Sequence, residues 1–102
     1  MKSLGDILRE LRENKRLPLR VVAAYLDIDQ AILSRIERGQ RRASREHIVK
    51  LAKYFDVEEN ELLIAWLSDK VVYEVADELI ALQALRVAEE KINYNTIQKT
   101  AK

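Results

Sequence analysis

Cysteine is absent from this sequence of 102 residues, and glycine, proline and histidine are scarce. Without cysteine the chain forms no disulfide and offers no thiolate to a metal, so a reducing compartment is its natural setting. The single histidine, His47, has neither a cysteine nor a second histidine as partner, which leaves nucleophilic catalysis and histidine-rich metal sites without their usual groups. The sequence therefore argues against an enzyme and predicts no cofactor, no metal and no small-molecule ligand.

Long apolar runs are also missing. The N-terminal segment MKSLGDILRE is amphipathic and charged, and it lacks the apolar run of a signal peptide. No stretch approaches the roughly 20 apolar residues of a membrane span. We expect a cytoplasmic protein without membrane contact.

Charge is divided unevenly along the chain. Residues 1–50 carry 12 Lys and Arg against 7 Asp and Glu, whereas residues 51–102 carry 6 against 10. Five arginines fall close together: Arg35, Arg38, Arg41, Arg42 and Arg45. This basic cluster indicates a half that faces nucleic acid, with a solvated charged surface as the alternative.

The segment from Leu19 to Gln40 has the pattern of two short helices joined by a tight corner. Its apolar residues fall on one face of each helix and in the corner: Val22, Ala23, Leu26, Ile28, Leu33 and Ile36. Asp29 is placed to cap the second helix with its side chain, and Gly39 to end it in the left-handed conformation. The pattern predicts a helix-turn-helix whose second helix enters the major groove of DNA.

Apolar residues at helical spacing predict further helices on both sides of this motif. The first runs from about Ser3 to Asn14, with Ser3 and Asp6 as a capping box. Pro18 suits the first position of the next helix. Ser44 caps a helix over residues 45–55, and a fifth helix then buries one face, which consists of Leu62, Leu63, Trp66 and Leu67. We expect residues 1–67 to be a complete fold.

The C-terminal segment has an unusual apolar pattern. Residues 69–93 contain neither glycine nor proline and predict helix, either continuous or broken near Asp77. Their apolar residues form two adjacent stripes, which one small domain cannot bury. Residues 68–94 are therefore predicted to dimerise with a second copy, completion of the chain's own core being the alternative. Residues 95–102 are expected to be a flexible tail.

Four segments carry a family resemblance: LGDILRELRENKRL, VAAYLDID, LSRIERGQRRAS and IVKLAKYFDVEENELL. Over about residues 4–67 they resemble the lambda-repressor-like, Cro/CI-type (Xre) helix-turn-helix family. The resemblance implies an all-α fold, namely a five-helix lambda-repressor-like DNA-binding domain followed here by a C-terminal helical dimerisation extension. It also implies an ion pair between Arg12 and Glu37 that joins the first helix to the recognition helix.

Further site residues follow from family position. The base-contacting side chains are predicted to be Gln30, Ala31, Ser34 and Arg35. The phosphate-binding side chains are predicted to be Arg20, Arg38, Gln40, Arg41 and Arg42. The predicted dimerisation residues come instead from the apolar stripes of the C-terminal segment and are Val72, Val75, Leu79, Leu82 and Leu85. The chain departs from the family where Asp27 replaces a glycine of the turn, a position at which Asp tolerates the left-handed conformation.

These features together predict a transcriptional regulator that binds an inverted-repeat operator of double-stranded DNA as a homodimer. The length leaves no second domain for a metabolite, so we expect autoregulation through the protein's own concentration. In size and in its added helices the chain resembles restriction–modification controller proteins. Phage-type repressors share the architecture. An antitoxin or protein-interaction module whose C-terminal half binds a partner protein is the alternative function.

Overall fold

The computed structural model describes the backbone of residues 1–100 and the side chains of residues 1–97. This part of the chain is all-α, as predicted. The helices are α1 (Leu4–Asn14), α2 (Leu19–Leu26), α3 (Gln30–Glu37), α4 (Arg45–Phe55), α5 (Glu59–Val75) and α6 (Ala81–Thr100). Within the described residues no helix is long and apolar enough to cross a membrane.

Helix α1 begins at a capping box. The Ser3 hydroxyl accepts from the amide of Asp6, and the Asp6 carboxylate accepts from the amide of Ser3, both at 3.2 Å. A third acceptor comes from α5, where the Asp69 carboxylate binds the amide of Leu4 at 2.8 Å. The capping box was predicted, whereas the contact with α5 was not. Together they satisfy amides that a helix start leaves without intrahelical partners.

Pro18 does not occupy the first helical position, so this prediction is wrong. Its ψ of 156° is extended, which makes it the N-cap of α2. The fixed φ of proline is compatible with either position, so the ring alone does not decide between them. At the other end of α2, Asp27 adopts the left-handed conformation with φ 58° and ψ 45°, as predicted for this glycine position. Ile28 then lies half-buried against the core in the corner before α3.

The two ends of α3 differ in how well they were predicted. Asp29 is the N-cap, but its side chain makes no capping hydrogen bond, so that prediction is wrong. The amide of Ile32, which a capping side chain would bind, donates instead to the backbone carbonyl of Asp29 at 3.0 Å. Gly39, with φ 75°, ends the helix as predicted. The amide of Gln40 donates to the carbonyl of Arg35 at 2.8 Å, which is the long bond of a Schellman motif.

The hydrophobic core is formed by the four helices α1, α2, α3 and α4 together with the beginning of α5. Its largest fully buried side chains come from four helices: Leu8, Val22, Leu33, Ile48 and Leu51. Helix α3 packs on α1 and α2, and α4 packs on α2. The α2–α4 contact includes Tyr25 and Tyr54, whose ring centroids lie 4.5 Å apart. Helix α3, the predicted recognition helix, is thus supported along its buried side by two other helices.

The chain divides into two compact units, Met1–Lys70 and Val71–Lys102, with the boundary inside α5. The sequence placed the end of the first unit at residue 67, but Asp69 still contacts the start of α1. Leu67 is 42% exposed, so its assignment to the buried face of α5 is wrong. Leu62 and Leu63, one turn earlier, already fill that end of the core.

The helix of the C-terminal segment is interrupted, in agreement with one of the two predicted alternatives. Helix α5 ends at Val75, residues 76–80 are turns, and α6 runs to Thr100. Helix therefore occupies most of the segment that was predicted to be a tail from residue 95. The last two residues of that predicted tail, 101–102, lie outside the described residues.

Gly5 is the point of closest approach between α1 and α3. A Cβ atom at this position would lie 2.3 Å from the backbone oxygen of Glu37 and 2.7 Å from that of Ile36. These are backbone atoms, which cannot rotate away as the end of a side chain can. Only glycine lets α1 lie directly on the last turn of α3.

We expect Gly5→Ala to lower the free energy of unfolding by about 2 kcal/mol, because the overpacking cost exceeds the gain in helix propensity. Urea unfolding followed by circular dichroism measures the change. Gly39→Ala is the control, since no atom lies within 4 Å of its Cβ position and it should cost only about 1 kcal/mol through its positive φ. A stabilised Gly5→Ala protein would contradict the close contact.

Candidate nucleic-acid interface

Helix α3 presents a polar face opposite its buried side. Leu33 and Ile36 are buried in the core. Of the four predicted base-contacting residues, Gln30, Ala31 and Arg35 are exposed and Ser34 is half-buried. The four occupy two successive turns of one helix face, as the helical repeat requires. The structure therefore brings all four to one side of α3, with Ser34 at the border of the core.

Arg12 and Glu37 hold the end of α3 to α1. The Arg12 Nε and Nη2 atoms donate to the two carboxylate oxygens of Glu37 at 2.8 and 3.0 Å, and Nη1 donates to the carbonyl of Leu17 at 2.9 Å. The side chains are only 13% and 6% exposed. The hydrogen bonds with Glu37 raise the pKa of Arg12, against the opposing effect of its burial. The raised pKa means that Arg12 keeps its charge, and with it the bidentate pair, even at a pH where an ordinary arginine begins to lose it.

The predicted phosphate-binding residues flank α3. Arg20 is exposed in the first turn of α2. The other four follow α3 closely and are also exposed, namely Arg38, Gln40, Arg41 and Arg42. We call residues 38–43 the basic loop. Arg38 Nε donates to the carbonyl of Ser34 at 3.3 Å, which directs its guanidinium along α3. Exposed arginines thus precede and follow α3 along the chain.

The far end of the basic loop is fixed by hydrogen bonds. Ala43 is 5% exposed, and its carbonyl accepts from the indole Nε1 of Trp66 at 2.8 Å. The hydroxyl of Ser44 accepts from the amide of His47 at 3.1 Å, which confirms the predicted cap of α4. His47 is half-buried, and its Nδ1 has no hydrogen-bond partner among the described residues.

Three residues that position the interface were missed by sequence reasoning. Gly5 was detectable, because a glycine within a helical pattern costs about 1 kcal/mol relative to alanine and therefore indicates a packing requirement. Trp66 was expected in the core, and a buried indole N–H needs an acceptor, although the sequence does not say which. Asp69 binds an amide 65 positions away, and no local pattern predicts such a contact.

The predicted dimerisation residues all lie in the second unit. Val72, Leu79 and Leu82 are 59%, 104% and 73% exposed. Val75 and Leu85 are half-buried. None of the five therefore belongs to the core of the first unit.

Comparison with known proteins agrees with this geometry. The profile of the helix-turn-helix family matches residues 8–62, more than half of the chain. The chain belongs to the Cro/CI-type helix-turn-helix family. The matched residues include α2 and α3, which form the helix-turn-helix of this chain. The predicted family and fold class are confirmed.

Two individual proteins are similar to the chain. One is the HTH-type transcriptional repressor RghR of Bacillus subtilis, with 38% identity over 50 residues; the match spans 49% of this chain and 37% of the repressor. The other is the crystal structure of the restriction–modification controller protein C.AhdI from Aeromonas hydrophila. It is 41% identical with a TM-score of 0.53, and the match covers 58% of this chain and 89% of the controller.

We expect Glu37→Ala to lower the free energy of unfolding by about 3 kcal/mol, because it leaves the Arg12 guanidinium buried without its carboxylate. Thermal and urea unfolding measure the change. The control is Glu13→Ala, which breaks the exposed Arg9–Glu13 pair at 3.4 Å and should cost less than about 0.5 kcal/mol. Equal stability of the two variants would contradict a structural role for the Arg12–Glu37 pair.

Proposed function

We propose that the protein regulates transcription as a homodimer bound to an inverted-repeat operator, with α3 of each copy in a major groove. The observation that carries this proposal is the exposed polar face of α3, with exposed arginines before and after it in the chain and the buried Arg12–Glu37 pair holding the end of the helix to α1. A rigidly supported helix with a polar outer face matches what major-groove recognition needs. The remaining steps concern bases, phosphates and the second copy.

Base recognition is assigned to the four residues of the polar face. The amide of Gln30 can pair with N6 and N7 of an adenine, and the guanidinium of Arg35 with O6 and N7 of a guanine. The methyl group of Ala31 suits the methyl group of a thymine. Ser34 donates or accepts a single hydrogen bond at the edge of the contact. Arg35 has the most to contribute, because its bond to guanine is bidentate and charged.

Phosphate contacts are assigned to Arg20 and to the basic loop. They flank α3, so they set its depth and register in the groove without selecting a sequence. Each phosphate neutralised releases a counterion, and affinity therefore falls as salt rises. The Trp66–Ala43 hydrogen bond supports this assignment because it fixes one end of the loop before DNA arrives.

A second copy of the chain accounts for the apolar surface of the second unit. Large apolar side chains that are more than half exposed there are Val72, Tyr73, Leu79, Ile80, Leu82, Ile92, Tyr94 and Ile97. Soluble monomers rarely expose so extended an apolar surface. Two-fold pairing covers the same patch on both copies and predicts half-sites about one helical turn apart, or a multiple of it.

The similarity to C.AhdI supports a more specific role as the controller of a restriction–modification system in the cytoplasm. The match covers most of that controller protein. An autoregulatory response then follows from dimerisation, since operator occupancy rises steeply with the protein's own concentration. The alternative role, an antitoxin or protein-interaction module, assigns the same apolar surface to a different protein.

Selection of binding sites from random duplex DNA tests the proposal. We expect the wild-type protein to enrich an inverted repeat and Arg35→Ala to lose about 1–3 kcal/mol on that site, with relaxed choice at one base position in each half-site. Binding to random duplex should change little, because Arg35 is assigned to a base. Equal losses on both DNAs would make Arg35 a phosphate contact. No enriched motif from the wild-type protein would favour the protein-interaction module.

Dimerisation has its own test. We expect Leu79→Glu together with Leu82→Glu to weaken self-association at least tenfold, because apolar area that is exposed in one copy no longer gains from burial in the dimer. Sedimentation equilibrium measures the dimer dissociation constant. Val21→Glu, at an exposed apolar position of α2, is the control and should leave self-association unchanged. A monomeric wild-type protein would contradict the homodimer.

A further inference from the structure

We propose that Arg45 and Lys70, gathered around the indole ring of Trp66, form an additional phosphate-binding site that extends the DNA interface from the basic loop onto α5. The ligand is the phosphodiester group of the DNA backbone. The inference rests on the proposed DNA-binding function and adds residues to it that neither the helix-turn-helix pattern nor the family position assigns. We call Arg45, Trp66 and Lys70 the tryptophan cluster.

Two cations meet at one aromatic ring in this cluster. The guanidinium carbon of Arg45 lies 5.4 Å from the centroid of the Trp66 ring, and Nζ of Lys70 lies 4.7 Å from it. Both distances are within the range of cation–π contacts. The Trp66 ring therefore contacts cationic side chains from both α4 and α5. Arg45 is exposed and Lys70 is half-buried, so both remain accessible to an anion.

The two cations of the cluster form no ion pair within the part of the chain that the structure describes. Neither Arg45 nor Lys70 takes part in its ion pairs. The Asp69 carboxylate accepts from the amide of Leu4, and Glu46 pairs with Lys50. Two like charges near one ring repel each other. A phosphate that contacts either cation compensates part of this charge.

The cluster is continuous with the basic loop, and this continuity points to DNA rather than to a free anion. The Nε1 atom of Trp66 donates to the carbonyl of Ala43, which directly follows Arg41 and Arg42. Arg45 comes two residues later, at the start of α4. A DNA strand presents a regular row of phosphates. A strand that contacts the basic loop therefore brings a further phosphate towards Arg45 and Lys70.

The two cations suit this ligand in complementary ways. The guanidinium of Arg45 offers a planar set of donors that matches two phosphate oxygens, and the ammonium of Lys70 acts as a compact point charge. Trp66 is a positioning residue, because it touches the cations and the loop and not the phosphate. Through Trp66, Arg45 and the basic loop both contact α5, the helix that continues into the second unit.

Salt dependence of binding to random duplex DNA tests the inference. We expect Arg45→Gln and Lys70→Gln each to reduce the slope of log K against log salt by about 0.9, the value for one phosphate that is no longer neutralised. The matched control is Lys53→Gln, which removes one positive charge from an exposed position of α4, about 12 Å along the helix from Arg45. Its slope should equal that of the wild-type protein. Circular dichroism of each variant establishes that it is folded.

A second measurement uses the fact that Trp66 is the single tryptophan of the chain. We expect random duplex to change its fluorescence emission in the wild-type protein and in Lys53→Gln, and to change it less in Lys70→Gln. Wild-type slopes in both cluster variants, or an equal decrease in all three variants, would overturn the inference while leaving DNA binding intact. A wild-type protein without salt-dependent DNA binding would instead overturn the proposed function.

Discussion

The contact between α1 and the end of α3 is the constraint on which the interface depends. It combines a backbone approach that only Gly5 permits with the buried bidentate pair of Arg12 and Glu37. The glycine brings the helices together, and the ion pair fixes their rotation, since two parallel hydrogen bonds have a narrow geometry. Both contacts lie at the C-terminal end of α3, so the helix is held without using any residue of its exposed outer face.

This separation of support from recognition has a thermodynamic meaning. The residues that stabilise α3 are buried, whereas Gln30, Ala31 and Arg35 are exposed and make little contribution to the core. Exposed substitutions away from caps and networks usually change stability only slightly. The outer face is therefore open to change of sequence preference with little cost in folding, while changes at Arg12 or Gly5 affect both properties at once.

Local chemistry predicted much of this structure, and the failures have both local and long-range causes. The capping box at Ser3 and the left-handed residues Asp27 and Gly39 follow from rules that involve a few neighbouring positions. Arg12 and Glu37 were paired through family position, because their 25-residue separation carries no local pattern. The exposure of Leu67 depends on where the core ends, which no periodicity specifies. The predicted side-chain cap at Asp29 is wrong for a local reason: the amide of Ile32, which the side chain was expected to bind, donates to the backbone carbonyl of Asp29 instead.

The hydrogen bond from the amide of Leu4 to Asp69 has a consequence for the smallest fragment that folds on its own. A truncated chain ending at Leu67 retains every residue of the family match and the whole hydrophobic core. The truncation nevertheless removes Asp69, the acceptor of the part-buried amide of Leu4. Leaving a buried donor without its acceptor lowers the free energy of unfolding by more than the net contribution of the hydrogen bond. The first unit therefore needs residues beyond the family match. Asp69 on α5 stabilises the first turn of α1 by accepting a hydrogen bond from the amide of Leu4.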